Sequence, residues 1–428
     1  MTKRPQDTSA EEPDGGNPHI RFRGGPRLGD RPGLLNKLTL WFCTAAALLE
    51  GFDNQTMGVA APRLIAEFHL TAAQSGVIFS SATIGLFFGA LIGGRVADHI
   101  GRKRALTVSL LLFGVCSLLT AAASTIEWLF AARLLTGIGL GGAMPNFISL
   151  ASESTHAERR VSSVTLVMAG MPFGGALAGL MALGAQWGWG WRSIFIAGGL
   201  MPILLSILTG TLLQERRAPG SSQIMVASRV EPVPVALFGS GRGWTTVLLW
   251  AAFFFTQLVL LLMLNWLPSL IVGLGYTRTQ ASWASICFNL SGSAGAAVLG
   301  LLHAGTRRRL WVVVTYVGMA TALAAVASVG TNFPLIAIAC SGAGMFIVGA
   351  QLTLFALAPL YYHGGIRGTG VGAAVAAGRL GSIVGPLFAG GLLAGGGGSA
   401  AVLVAIVPFV AVGGGAAFAL TWRRQTVD

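Results

Sequence analysis

The sequence is poor in acidic residues. Its 428 positions hold 15 Asp and Glu, and none occurs between Glu231 and the terminal Asp428. Charge of either sign is scarce. Only 10% of residues are charged, against about 25% in an average soluble protein. A chain so short of charge cannot cover a water-facing surface, which excludes a soluble fold. Its 54% hydrophobic content excludes disorder except at the ends. Cysteine is also rare: Cys43, Cys116, Cys287 and Cys340 all fall in apolar stretches. No extracellular disulfide framework follows, and the four read as packing residues. The chain has no Walker-type phosphate loop, no metal-ligand cluster and no His set for a catalytic triad. The six His (19, 69, 99, 156, 303 and 363) lie in tails, loops or span ends. An enzyme is therefore not indicated, and neither a cofactor nor a metal is expected.

What the sequence has instead is long apolar runs, interleaved with 61 glycines. A helix needs about 20 apolar residues to cross a bilayer. Twelve such spans are legible, near 38–60, 74–96, 105–124, 128–150, 161–184, 191–213, 244–272, 281–302, 310–330, 333–358, 369–393 and 398–422. The expected fold is all-α and integral to the membrane, with two six-helix halves at 38–213 and 244–422. The segment 1–37 reads as a disordered cytoplasmic tail, 214–243 as a central cytoplasmic loop, and 423–428 as a cytoplasmic C-terminal tail. Trp187, Trp189 and Trp191 read as an interfacial belt.

The basic residues fix an orientation. Of 28 Lys and Arg, 23 fall in the tails and alternate loops that share a side with the N-terminus. Only Arg63, Arg192 and Arg278 fall on the other side, and Arg133 and Arg379 lie inside spans. This bias fits the positive-inside rule for a multi-pass protein of the plasma (inner) membrane, with both termini cytoplasmic. It also accounts for the pI of about 10.9. A nucleic-acid partner would need a basic face on a soluble module, and none is present.

Two six-helix halves joined by a basic loop fit a transporter built from repeats, with its site near the bilayer midplane. Arg160 and Arg367 open the fifth and eleventh spans, and each has a Gly fourteen residues on, Gly174 and Gly381. The loop Gly94-Arg95-Val96-Ala97-Asp98-His99-Ile100-Gly101-Arg102-Lys103-Arg104 resembles the G-x-x-x-D-R/K-x-G-R-K/R signature of the major facilitator superfamily. His99 stands where a basic residue is usual. The matching segment of the second half, Gly300 to Arg308, has Ala304 in place of the acid. A gating ion pair centred on that acid is thus absent there.

Further motifs narrow the resemblance. Glu50-Gly51-Phe52-Asp53 with Gly58-Val59-Ala60-Ala61-Pro62 is similar to the first helix of the aromatic acid:proton symporters, whose usual pattern is D-G-x-D. Arg133 to Gly142 followed by Pro145-Asn146 resembles their fourth helix, and Asn265-Trp266-Leu267-Pro268 their seventh. Arg367-Gly368-Thr369-Gly370 with Gly378-Arg379-Leu380-Gly381 resembles their eleventh. The wording is most like the 3-(3-hydroxyphenyl)propionate transporter branch. The resemblance implies gating roles for Asp98, Gly94, Gly101, Arg102 and Arg367. It implies a coupling or gating role for Arg133. The segment Gly170 to Gly175 only partly matches an antiporter signature.

The acid census points to the coupling site. Glu50 and Asp53 are the acids inside a span, and residues i and i+3 share a helical face. A lone charge at the bilayer centre costs about 2.5–3.5 kcal/mol on insertion scales, so the pair is expected to face a polar cavity. Its roles are proton coupling, with Asp53 the stronger candidate, or static pairing with Arg133 or Arg379. The guanidinium fork of Arg379 suits two-point contact with a carboxylate. Asn265, Gln351, Asn146 and Trp266 are candidates to complete the substrate site. Asn54, Gln55, Asn289, Phe253, Phe254, Phe255 and Phe355 are further polar or aromatic residues that a cavity can use. The resulting expectation is a monomeric, proton-driven importer of small aromatic carboxylates such as 3-hydroxyphenylpropionate or benzoate, working by alternating access. The rivals are a proton-linked exporter of drugs or hydrophobic metabolites, and a non-transporting substrate sensor.

Overall fold

The computed structural model describes residues 32–155, 163, 166–184, 190–213, 232–239, 241–304, 307–362 and 366–422. Among these residues the secondary structure is helical, and no strand occurs. The first half comprises α1 (Pro32–Phe68), α2 (Ala72–Ile100), α3 (Arg102–Ala121), α4 (Ile126–Glu153), α5 (Gly170–Gly184) and α6 (Arg192–Leu212). The second comprises α7 (Gly243–Gly273), α8 (Arg278–Ala304), α9 (Arg308–Ser328), α10 (Phe333–Leu357), α11 (Arg367–Ala394) and α12 (Ser399–Leu420), which is interrupted at Ile406. Ten of these carry stretches long and apolar enough to cross a membrane. The other two, α1 and α8, carry the polar side chains Gln55 and Asn289, which meet across the two halves.

Element boundaries depart from the sequence expectation in three places. Helix α1 begins at Pro32, inside the stretch read as tail, because proline is preset for the first helical turn. It then runs through Pro62 to Phe68; packing by neighbouring helices lets a membrane helix keep an internal proline. A short helix, Val233–Phe238, forms inside the stretch read as a loop. The remainder of the tail (1–31), most of the central loop (214–231) and the C-terminal 423–428 lie outside the described residues.

The halves repeat one another in packing. A Cβ at Gly174 on α5 would run into the backbone of Leu48 on α1, and one at Gly381 on α11 would run into Phe254 on α7. Gly137 on α4 meets Ala82 of α2 in the same way that Gly344 on α10 meets Phe288 of α8. Small residues at these crossings let backbones approach, the usual means of holding membrane helices together. The starts of α2 and α8 also match. Thr71 and Gln74 exchange backbone and side-chain hydrogen bonds in a capping box, as do Thr277 and Gln280.

Contacts between the halves gather at one end. The Gln55 amide Nε2 donates to the Leu264 carbonyl (3.0 Å), and Asn289 Nδ2 donates to Gln55 Oε1 (3.0 Å). Ser80 donates to the Ile383 carbonyl (2.8 Å). Phe79 meets Trp266 edge-on with centroids 4.9 Å apart. A Cβ at Gly76 would lie 2.8 Å from the Pro386 carbonyl oxygen. At the opposite end, where Gly101 joins α2 to α3, the positions around Gly94, Gly300, Gly368 and Gly372 are open: a Cβ there would meet nothing within 4 Å. Among the described residues, these hydrogen bonds and close approaches between the halves lie toward the end with few basic residues.

Candidate functional site

The site forms where α1, α4, α7, α10 and α11 pass mid-bundle. Glu50 and Asp53, one turn apart on α1, are 1% and 2% exposed. Their partners differ. Asp53 accepts from both terminal nitrogens of Arg133 on α4, at 2.8 and 2.9 Å. The two-point geometry and burial of both groups make this a charge-assisted pair of the stronger kind. The guanidinium carbon also lies 5.6 Å from the centre of the Phe195 ring, while Arg133 Nε has no partner.

Both carboxyl oxygens of Glu50 are buried without a hydrogen-bond partner. The charge of opposite sign that acts on it is Arg379 on α11 of the other half, with no ion pair between the two. Arg379 donates instead to the thioether sulfur of Met144 on α4, at 2.9 Å. Two groups able to pair thus face each other across the halves, and neither is matched by an ionic partner.

The amides divide into committed and uncommitted groups. Asn146 donates to Gly142 and Asn265 to Leu261, each one turn back on its own helix. Gln55 and Asn289 are engaged in the closed end, and Asn54 is half-buried on α1. Gln351 on α10 is 4% exposed, and neither its oxygen nor its nitrogen has a partner. Gln257 on α7, not among the residues singled out from sequence, is 7% exposed with an unpartnered oxygen. Trp266 donates to the Pro386 carbonyl (3.1 Å) and packs on Phe79, inside the closed end. Phe253 and Phe355 meet edge-on at 5.4 Å. Phe254 packs on Phe255, and Phe255 stacks on Phe409 within the second half.

The signature loop has a clear conformational core. Gly101, the single residue between α2 and α3, has φ 90° and ψ 150°, a conformation essentially confined to glycine. This explains the glycine there without reference to charge. His99 and the Arg95 carbonyl are 2.8 Å apart, and Arg102 opens α3. The side chains of Asp98 and Arg367 lie outside the described residues.

A second cluster ties the closed end of the first half together. Glu67 accepts from Trp191 Nε1 and pairs with Arg192 at 2.7 Å. The Arg192 guanidinium lies 4.4 Å from the Trp191 ring centre. Trp191 is 2% exposed and packs on Phe68 and Phe195. It is thus a core residue rather than part of a lipid-facing belt: its ring is buried against Phe68 and Phe195, and its indole N–H reaches out to the exposed carboxylate of Glu67. Trp187 and Trp189 lie outside the described residues. All four cysteines are free thiols, and the described residues contain no group of His, Cys, Asp and Glu able to hold a metal.

Comparison with known proteins gives a consistent result. The Major Facilitator Superfamily profile matches residues 43–386. The chain is 40% identical to the 3-(3-hydroxy-phenyl)propionate transporter of Escherichia coli over 91% of this chain and 95% of that protein. It is 31% identical to the gallate transporter of Pseudomonas putida, covering 83% and 85%. It is also 31% identical to the 4-hydroxybenzoate transporter PcaK of Pseudomonas aeruginosa, covering 85% and 88%. Among solved structures, a bacterial homologue of the lysosomal transporter Spinster, inward-facing and unoccupied, matches with a TM-score of 0.74 at 18% identity, covering 92% of this chain and 99% of that one. The D-xylose-proton symporter matches with a TM-score of 0.68 at 19% identity, covering 87% and 96%. These structural likenesses establish the fold.

Proposed function

We propose that this chain, which belongs to the major facilitator superfamily, imports small aromatic carboxylates together with protons. The observation that carries the reading is the buried, unpartnered carboxyl of Glu50 within reach of Arg379 on the other half. Supporting it, the three relatives above are named for the transport of aromatic acids. An unpaired carboxylate inside a membrane protein is costly, and a proton on Glu50 removes that cost. Arg379 then receives the substrate carboxylate in two-point contact. Its bond to the Met144 sulfur is the weaker interaction it gives up. Asp53 and Arg133 form a second proton-responsive unit: a proton on Asp53 breaks the pair and frees the guanidinium.

In this reading transport proceeds by rocking of the halves about the central site. The end opposite these inter-half contacts is the basic one, and by the positive-inside rule it faces the cytoplasm with both termini. The Asp98 loop and Arg367 lie at that end and gate it. The protein works as a monomer in the inner membrane and draws only on the proton gradient. Uptake of labelled 3-hydroxyphenylpropionate and benzoate into proteoliposomes tests the proposal. Accumulation under an inward proton gradient, lost in Glu50→Gln, supports it. Gradient-driven expulsion overturns the direction in favour of an exporter. Saturable binding without flux replaces transport with sensing.

A further inference from the structure

Two amides remain after the proposed carboxylate and proton sites are assigned. Buried polar groups in folded proteins are almost always hydrogen-bonded, and each exception calls for an explanation. Among the described residues, Gln257 and Gln351 are the amides with buried, unpartnered polar atoms. Their placement is not independent. Phe253 on α7 touches Phe355 on α10, and these helices run antiparallel. Gln257 lies four residues after Phe253, and Gln351 four residues before Phe355. Both amides therefore stand one turn from the aromatic contact, in the same direction along the bundle. Helix α11 closes the arrangement. A Cβ at Gly378 would lie 3.1 Å from Gln257 Cγ and 3.4 Å from the Phe253 ring, and the next residue is Arg379.

We infer that Gln257 and Gln351 form the subsite that recognises a hydroxyl on the substrate ring. The inference deepens the reading above and rests on it. A phenolic hydroxyl is one donor and also an acceptor. It can donate its one proton to the Gln257 or the Gln351 oxygen and accept from the Gln351 NH2. The aromatic pair one turn away supplies an apolar wall against which a ring packs edge-on. Arg379, which follows Gly378 in the chain, holds the carboxylate, so the acid runs from an ionic anchor to a neutral amide pair. A polar pair of this kind discriminates strongly. An analogue without the hydroxyl leaves buried amide groups unmet, and a site built to bond a hydroxyl rejects such an analogue far better than an apolar pocket rejects an added group.

The test is competitive uptake of 3-(3-hydroxyphenyl)propionate and 3-phenylpropionate by the full-length protein in proteoliposomes. Wild type is compared with Gln351→Met and Gln257→Met, which keep length and approximate volume. The expected result is a preference for the hydroxylated acid in the wild type that falls about tenfold in each variant, the size of one lost neutral hydrogen bond. An unchanged ratio in both variants overturns the inference and leaves the transport reading intact. Equal loss of both acids in both variants also overturns it, since the amides then serve packing. Uptake of neither acid by the wild type overturns the transport reading and this inference with it.

Discussion

Asp53 and Arg133 are bound to each other by two parallel hydrogen bonds of 2.8 and 2.9 Å, with both side chains almost wholly buried. Glu50, a single turn away on the same helix, has no hydrogen-bond partner. Two acids that look equivalent in the sequence are therefore different in kind. One is neutralised by a fixed counter-charge, and the other is matched by nothing in the same half.

The difference predicts unlike phenotypes. Asp53→Asn leaves the Arg133 charge buried and unpaired, an arrangement that costs about 3–5 kcal/mol when one partner of a buried pair is removed. The variant should melt well below the wild type in detergent. Asp53→Asn combined with Arg133→Gln should recover much of the loss. A single variant as stable as wild type would show that the pair is not maintained in the membrane protein.

Glu50→Gln is expected to keep stability, because an amide of the same shape replaces a carboxyl without partners. Accumulation driven by a proton gradient should vanish. Exchange of labelled for unlabelled substrate across the membrane, which needs no net proton movement, should persist. Loss of exchange together with accumulation would assign Glu50 to substrate contact instead.

Arg379→Lys keeps the charge and removes the fork. Loss of one charge-assisted hydrogen bond should raise the KM for uptake about tenfold or more, with a smaller effect on the maximal rate. Arg379→Gln should abolish uptake of carboxylates. An unaltered KM in Arg379→Lys would move the anion site elsewhere.

Gly58→Leu tests the closed end. A side chain there meets the Leu264 backbone across the two halves, so it should drive that end apart and close the basic end. A cysteine placed at Gly372, in the open region, should then react more slowly with a membrane-impermeant maleimide from the basic side. Equal reactivity would mean that the α1–α7 contact does not set the balance between conformations.

Much of this architecture was readable in advance. Apolar length, the basic-residue bias and the signature loop led to twelve helices in two halves. The match of Gly174 with Gly381 proved to be a shared packing contact. The paired caps at Thr71–Gln74 and Thr277–Gln280 carry the same repeat, but a cap is a weak signal beside a transmembrane run. The site was less legible. The acids stood out through scarcity, yet the partners of Asp53 and Glu50 depend on how α4 and α11 rotate against α1, which no local pattern encodes. Gln257 went unnoticed because one amide in an apolar stretch ordinarily bonds its own backbone, as Asn265 does. Trp191 does not betray its buried position in the sequence, because its partner Glu67 is 124 residues away.

The Met144–Arg379 contact bears on how fast the carrier can cycle. In the proposed reading Arg379 is the anion anchor, and a sulfur atom, a soft and feeble acceptor, keeps it aimed without locking it to a resident carboxylate. An incoming acid has no strong bond to break before it docks, and the same side chain reclaims the guanidinium when cargo leaves. Replacing Met144 with an acid would trade this quick handover for a latch, giving a carrier that is tightly self-occupied and slow to load.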